Sequence, residues 1–181
     1  VRLALLARQR LFEIADKESI DFNLEKRGIL HFYHNKQDYD VAIRVNDLLN
    51  KGGLERCGVS NEEIKQIEPT LTGDYYAGFY CEGDATGDIH KYTTGLAEVT
   101  KKLGVKYRFG MDVTDIQHLS SGVEVKLQPS SENVELLPNE VEILAADAVV
   151  VCAGVGSYQL AELVQERVNV YPVKGYSITV M

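Results

Sequence analysis

A chain of 181 residues with 45% hydrophobic and 25% charged residues is long enough for one sizeable core or two small ones, and its composition is not that of a disordered segment. The net charge is −8 and no stretch concentrates Lys and Arg, so a nucleic-acid backbone is excluded as the expected partner. Cys57, Cys81 and Cys152 form no CxxC pair, which argues against a disulfide scaffold or structural zinc and for a reducing compartment; the longest apolar run, residues 148–153, is far too short to span a membrane.

Leu3, Ala7, Leu11 and Ile14 recur at helical spacing and predict an amphipathic helix over about residues 1–19. No capping residue precedes it and the first residue is Val, so the chain is expected to begin inside an element, with no signal peptide in view. Arg27-Gly28-Ile29-Leu30-His31-Phe32-Tyr33 has strand composition. A second helix is expected over about 37–51, with Val41, Val45 and Leu48 on one face and Gly52-Gly53 as the stop. Ser60 and Glu63 have the spacing of a capping box for a short helix carrying Ile64 and Ile67, which Pro69 closes. Residues 75–81 read as a strand, followed by the loop Glu82-Gly83-Asp84-Ala85-Thr86-Gly87-Asp88.

The best-defined helix follows. Ile89, Tyr92, Leu96, Val99 and Leu103 step by three and four, Asp88 can cap the start, Lys101 and Lys102 sit in the last turn, and Gly104 ends it. Strands are expected at 105–109, 112–119, 122–127 and 142–146, with a polar loop over 129–139. Residues 147–152, Asp-Ala-Val-Val-Val-Cys, have the uninterrupted apolar character of a strand buried on both faces, as in a parallel sheet covered by helices. A turn at 153–156 and a short helix over 157–165 come next. The last segment, 170–181, alternates Tyr176, Ile178 and Val180 and is expected to be a strand. This order implies an α/β body with strands grafted on, in two lobes. One holds the long helices and the buried strand; the other holds residues 20–81 and the final strand.

Gly154-Val155-Gly156 starts like a GxGxxG dinucleotide fingerprint, whose glycines let backbone approach a pyrophosphate at a helix N-terminus. The third glycine position is Gln159, and no acidic residue stands about 20 residues on to take a ribose hydroxyl. What remains is either a ligand-approaching glycine turn or an ordinary tight turn between strand and helix. The loop at 84–88 lacks the glycine and the twelfth-position Glu of a calcium loop, so Asp88 reads as a helix cap. His90 reads as a surface histidine at a helix start, and His31 and His34 should point to opposite faces. Cys152 has no evident thiolate-stabilising neighbour. No metal site, GxSxG elbow or Walker A motif is present. The residues alone therefore describe an α/β protein with one candidate ligand turn.

Several stretches resemble the glycine-oxidase/D-amino-acid-oxidase family of flavoproteins, in its order and through nearly the whole chain. Leu103-Gly104-Val105-Lys106-Tyr107-Arg108-Phe109 leading to Val113 is similar to its helix–strand–strand passage, and residues 147–154 to its "DAVVVCAG" flavin-contact strand. Thr86-Gly87-Asp88 through Leu96 resembles the "TGD…T..LA" segment of the bacterial D-amino-acid dehydrogenases of that family (small-subunit type), Tyr171-Pro172-Val173-Lys174-Gly175-Tyr176-Ser177 their "YPVKGYS", and Arg27-Gly28-Ile29-Leu30 their first substrate-lobe strand.

The resemblance implies an α/β (α+β) fold: a partial Rossmann-like FAD-binding domain with an antiparallel-sheet substrate lobe. Residues 1–19 and 83–168 would belong to the FAD domain, and 20–82 with the return strand 169–181 to the substrate lobe. It implies FAD as cofactor, a D-amino acid as substrate, a respiratory electron acceptor, and a cytoplasmic location, peripheral on the inner face of the cytoplasmic membrane. Val113 is implied to offer backbone contacts to the adenine, and Ala153 and Gly154 to approach the ribityl–pyrophosphate side. The family's GxGxxG and ribose-binding acid, its substrate-carboxylate arginine and its C-terminal glycine-rich stretch have no counterpart here. An interior piece cut at both ends is therefore expected, whose catalytic residues lie elsewhere, which holds no flavin by itself and which self-associates through uncovered faces. A glycine or sarcosine oxidase activity, a non-catalytic remnant, and completion by another chain are the alternatives.

Overall fold

The computed structural model describes residues 1–130, 141–176 and 178. Two units are distinguished, Val1–Lys106 and Tyr107–Met181.

In the first unit, helices α1 (Arg2–Lys17), α2 (Lys36–Lys51), α3 (Asn61–Ile67) and α4 (Ile89–Lys102) accompany strands β1 (Ile29–Tyr33), β2 (Cys57–Val59) and β3 (Ala77–Cys81). The strands form an antiparallel sheet in the order β1-β3-β2. Local chemistry sets the helix starts. The Asn35 side chain accepts the Asp38 N–H at 2.9 Å ahead of α2. Ahead of α3 the capping box is complete: Ser60 Oγ accepts from the Glu63 N–H at 3.3 Å, and the Glu63 carboxylate accepts from the Ser60 N–H at 2.7 Å. The Asp88 carboxylate accepts the Lys91 N–H at 3.0 Å and starts α4.

Ile64 of α3 is wholly buried where it meets Gly78 of β3; Phe79 and Cys81, on the opposite face of that strand, are 3% and 1% exposed. Gly78 is where the layers come closest. A Cβ there would lie 2.6 Å from the His31 carbonyl oxygen and 3.2 Å from the Ile64 side chain, so no other residue fits. A second core joins α1 to α4 through Ala15, Phe22 and Tyr92, with Leu11 and Leu96 packed against it. The Phe22 and Tyr92 rings meet edge to face at 5.3 Å.

The second unit has strands β4 (Met111–Leu119), β5 (Gly122–Pro129) and β6 (Glu142–Ala146), antiparallel in the order β4-β5-β6, then a 3₁₀ turn (Gly154–Gly156) and helix α5 (Ser157–Leu163). Val123, Val125 and Leu127 alternate along β5 onto one face, where they join Ile116 of β4; Leu160 and Val164 pack over them. Gly122 closes the β4–β5 hairpin at φ +104°, and a Cβ there would strike the Ala146 carbonyl oxygen.

Three expectations differ. On α2 the stripe Val41, Val45, Leu48 faces solvent, while Ala42 and Asn46 are buried. Tyr39 stacks on Phe79, with ring centres 5.0 Å apart, and that contact turns the helix. Residues 105–109 and 147–152 form no strand, and Val150 is 83% exposed. Residues 170–176 are likewise outside any strand. Apolar β-branched composition makes a segment willing to be buried, but a strand exists only where a neighbour takes its backbone hydrogen bonds, and among the described residues none pairs with these segments. Of the polar loop expected at 129–139, residues 131–139 lie outside the described residues, as do Ser177, Thr179, Val180 and Met181 of the final segment.

Ile64→Ala removes a fully buried side chain between α3 and β3, and we expect it to lower stability by about 2–5 kcal/mol. Urea denaturation followed by circular dichroism measures this; an unchanged midpoint would contradict the placement of Ile64.

Candidate functional site

The turn at residues 153–157 is built from its own polar groups. The Ala153 N–H donates to Ser157 Oγ at 3.2 Å, and the Gly156 N–H donates to the Ala153 carbonyl at 3.0 Å. Gly154 sits at φ +55°, in the left-handed region, and a Cβ placed on it would meet nothing within 4 Å. Ala153, Gly154 and Val155 are exposed. The result is an open turn whose backbone a ligand can approach without a side chain in the way.

Val113 lies on β4 opposite Leu127, beside a register irregularity between Val113 and Asp115. It packs against the same cluster as Leu160 and Val164, so the strand carrying Val113 and the helix that follows the Gly154 turn share one core. β4 is the edge of its three-stranded sheet. Nearby, the Asp115 carboxyl is held below its usual range by hydrogen bonds, first from Lys126 and then from Gln117. Neither Asp115 nor Lys126 is near-buried, so the pair shapes the surface of β4 and β5 and adds little stability.

The remaining candidates separate. His90 and Cys152 are exposed, and among the described residues no group of three or more His, Cys, Asp or Glu could hold a metal ion. No helix among them is long and apolar enough to cross a membrane.

Two arrangements carry no signal in the sequence. Arg8 of α1 and Asp84, 76 positions apart, form an ion pair. Beneath it burial pushes the Cys81 thiol up, with a hydrogen bond to Asp84 adding to the shift. Arg56, only 8% exposed, lies with its guanidinium carbon 4.9 Å from the Phe79 ring centre, while Asn50 brackets its backbone at 3.0 and 3.1 Å. Among the described residues its Nε has no hydrogen-bond partner. On β1 opposite Phe79, His31 is exposed, yet the partial desolvation of its ring lowers its pKa below 6.5; Arg56 lowers it further and Asp84 opposes the change.

This fold, a mixture of helices with antiparallel sheets, matches that of a group of flavin enzymes. The profile of the DAO family, described as FAD dependent oxidoreductase, covers residues 1–181, and the chain belongs to that family. Among its curated relatives is D-amino acid dehydrogenase 3 of Mesorhizobium japonicum, 45% identical over 179 residues, which are 99% of this chain and 41% of that protein. The D-amino acid dehydrogenase of Dechloromonas aromatica is 34% identical over 182 residues, 99% of this chain and 42% of that protein. The chain thus spans about two-fifths of the length of these relatives. Glycine oxidase from Geobacillus kaustophilus shares the fold at a TM-score of 0.66 and 21% identity, over 88% of this chain and 40% of that one.

Because the His31 pKa is lowered in the folded state, the unfolded chain binds more protons just below pH 6.5. Stability should therefore fall as the pH drops through 6.5 toward the folded value, and rise in the opposite direction. In an NMR titration the His31 ring should show a midpoint below 6.5; a midpoint at or above 6.5 would contradict its partial desolvation beside Arg56.

Proposed function

We propose that this chain belongs to an enzyme that oxidatively deaminates D-amino acids. The amino acid gives up a hydride from Cα and a proton from nitrogen, and water then converts the imine to a 2-oxo acid and ammonia. FAD, when bound, supplies the hydride acceptor. The electrons pass on to a respiratory acceptor, at the inner face of the cytoplasmic membrane. The observation that carries this reading is the continuous likeness to D-amino acid dehydrogenases along 99% of the chain.

In this reading Ala153 and Gly154 hold the cofactor's ribityl–pyrophosphate side through backbone, and the backbone of Val113 meets the adenine. The open Gly154 turn supports the first assignment, since its positive φ and the empty space at its Cβ are what close backbone approach to a ligand requires. The core shared by Val113 and α5 supports the second. Residues 1–19 and 83–168 are assigned to the flavin domain, and 20–82 with 169–181 to the substrate lobe, where the β1-β3-β2 sheet provides an antiparallel platform.

The full-length protein, loaded with FAD and kept anaerobic, should lose its flavin absorbance on addition of D-alanine or another member of a D-amino-acid panel. A spectrum unchanged by the whole panel would refute the activity. In the same protein Gly154→Val should lower the flavin retained on purification, since a β-branched residue at φ +55° costs on the order of 1–3 kcal/mol and places a side chain at the approach. Undiminished flavin in a folded variant would remove Gly154 from the site.

A further inference from the structure

One pocket of the first unit is lined by none of the residues proposed to meet the cofactor. It opens between α1, the start of β1 and the loop at residues 84–89, with a volume of about 360 Å³, near the lower end of the roughly 300–1,000 Å³ typical of small-molecule sites. Its walls are apolar: Leu11, Phe22, Leu24, Ile29 and Ile89. Arg8 and Asp84, the ion pair, also line it.

The pair is neither sealed in nor fully in water, with side chains 31% and 26% exposed. Arg8 bonds Asp84 through Nη1, and among the described residues no other acceptor takes its remaining donors; a guanidinium has five. Asp84 is held by its backbone, whose carbonyl accepts the Gly28 N–H at 3.1 Å and whose N–H donates to the Cys81 carbonyl at 3.3 Å. A fixed carboxylate beside a guanidinium with spare donors, at the edge of an apolar cavity, selects by charge. A lone anion meets Arg8 but is repelled by Asp84. A lone cation meets Asp84 but is repelled by Arg8. A ligand with both charged groups on one carbon and an apolar tail satisfies all three surfaces.

We propose that this pocket binds a free amino acid with an apolar side chain, its carboxylate on Arg8, its ammonium on Asp84 and its side chain against Phe22, Leu24 and Ile29. The site uses none of Val113, Ala153 or Gly154, the residues proposed to meet the cofactor, so its binding can be tested apart from the flavin reaction. It requires no chemistry of the ligand, only reversible binding.

The test is methyl NMR of the anaerobic protein, titrated separately with each enantiomer of leucine, with 4-methylpentanoate and with 3-methylbutylamine. Ile29 and Ile89 report from the pocket, and Ile116, in the core of the second unit, is the internal control. At least one leucine enantiomer should shift Ile29 and Ile89 saturably and leave Ile116 in place. The two single-charge analogues should bind at least about tenfold more weakly, as should leucine to Arg8→Met. Ile89→Trp, a change at a position 65% exposed, should fill the pocket and abolish binding while the Ile116 signal keeps its place. No shift up to the solubility limit, equal binding of the analogues, or undiminished binding to Ile89→Trp would each overturn the proposal. If Arg8→Met does not fold, the analogues and Ile89→Trp still decide.

Discussion

Strand β3 has a neighbour on each edge, and at residue 78 it has no side chain. The missing Cβ lets the His31 carbonyl, the Val59 methyl and the Ile64 side chain converge on its place, at 2.6, 3.1 and 3.2 Å from where that carbon would lie. β1, β2 and α3 are therefore all registered against one glycine. The next residue, Phe79, turns to the other face, where it takes the Tyr39 ring of α2 at 5.0 Å and the Arg56 guanidinium at 4.9 Å. The arrangement leaves the buried Nε of Arg56 without a partner, a penalty of roughly 1–3 kcal/mol for an unsatisfied donor, which the ring face offsets in part. Desolvation lowers the neighbouring His31 pKa, and the same buried cation lowers it further.

The second unit is organised by alternation rather than by close approach. β5 sends Val123, Val125 and Leu127 to one side, and α5 lies over them. Residues 147–152 lead from β6 to the Gly154 turn with their apolar side chains in solvent: Val149 is 41% exposed and Val150 83%. Apolar surface left in water forgoes about 25 cal/mol per Å², and no partner strand among the described residues recovers it. Relatives of the chain are more than twice as long, and the exposed run leads straight into the turn proposed to face the cofactor.

Much of the local structure was legible from spacing. The capping box at Ser60 and Glu63, the Asp88 cap and the alternation along β5 each depend on groups within a few residues of one another. The family was legible too, because its motifs are short and keep their order. At the candidate site only backbone geometry was legible, because the glycine at 154 fits the left-handed turn found there. Arg56 was missed because an arginine after Glu55 looks like a solvated charge until Phe79 and α2 are folded over it.

Signals carried at three-, four- and two-residue intervals specified where helices and strands begin, end and alternate, since a turn of helix or a pleat is completed by neighbours along the chain. Which face of α2 is buried, that Arg8 meets Asp84 across 76 positions, and that residues 147–152 stay unpaired were decided only by the folded arrangement. Those outcomes depend on what a distant segment brings to the contact: a ring to stack on, a carboxylate to bind, or a backbone edge to share hydrogen bonds. None of these can be read from the segment that receives it.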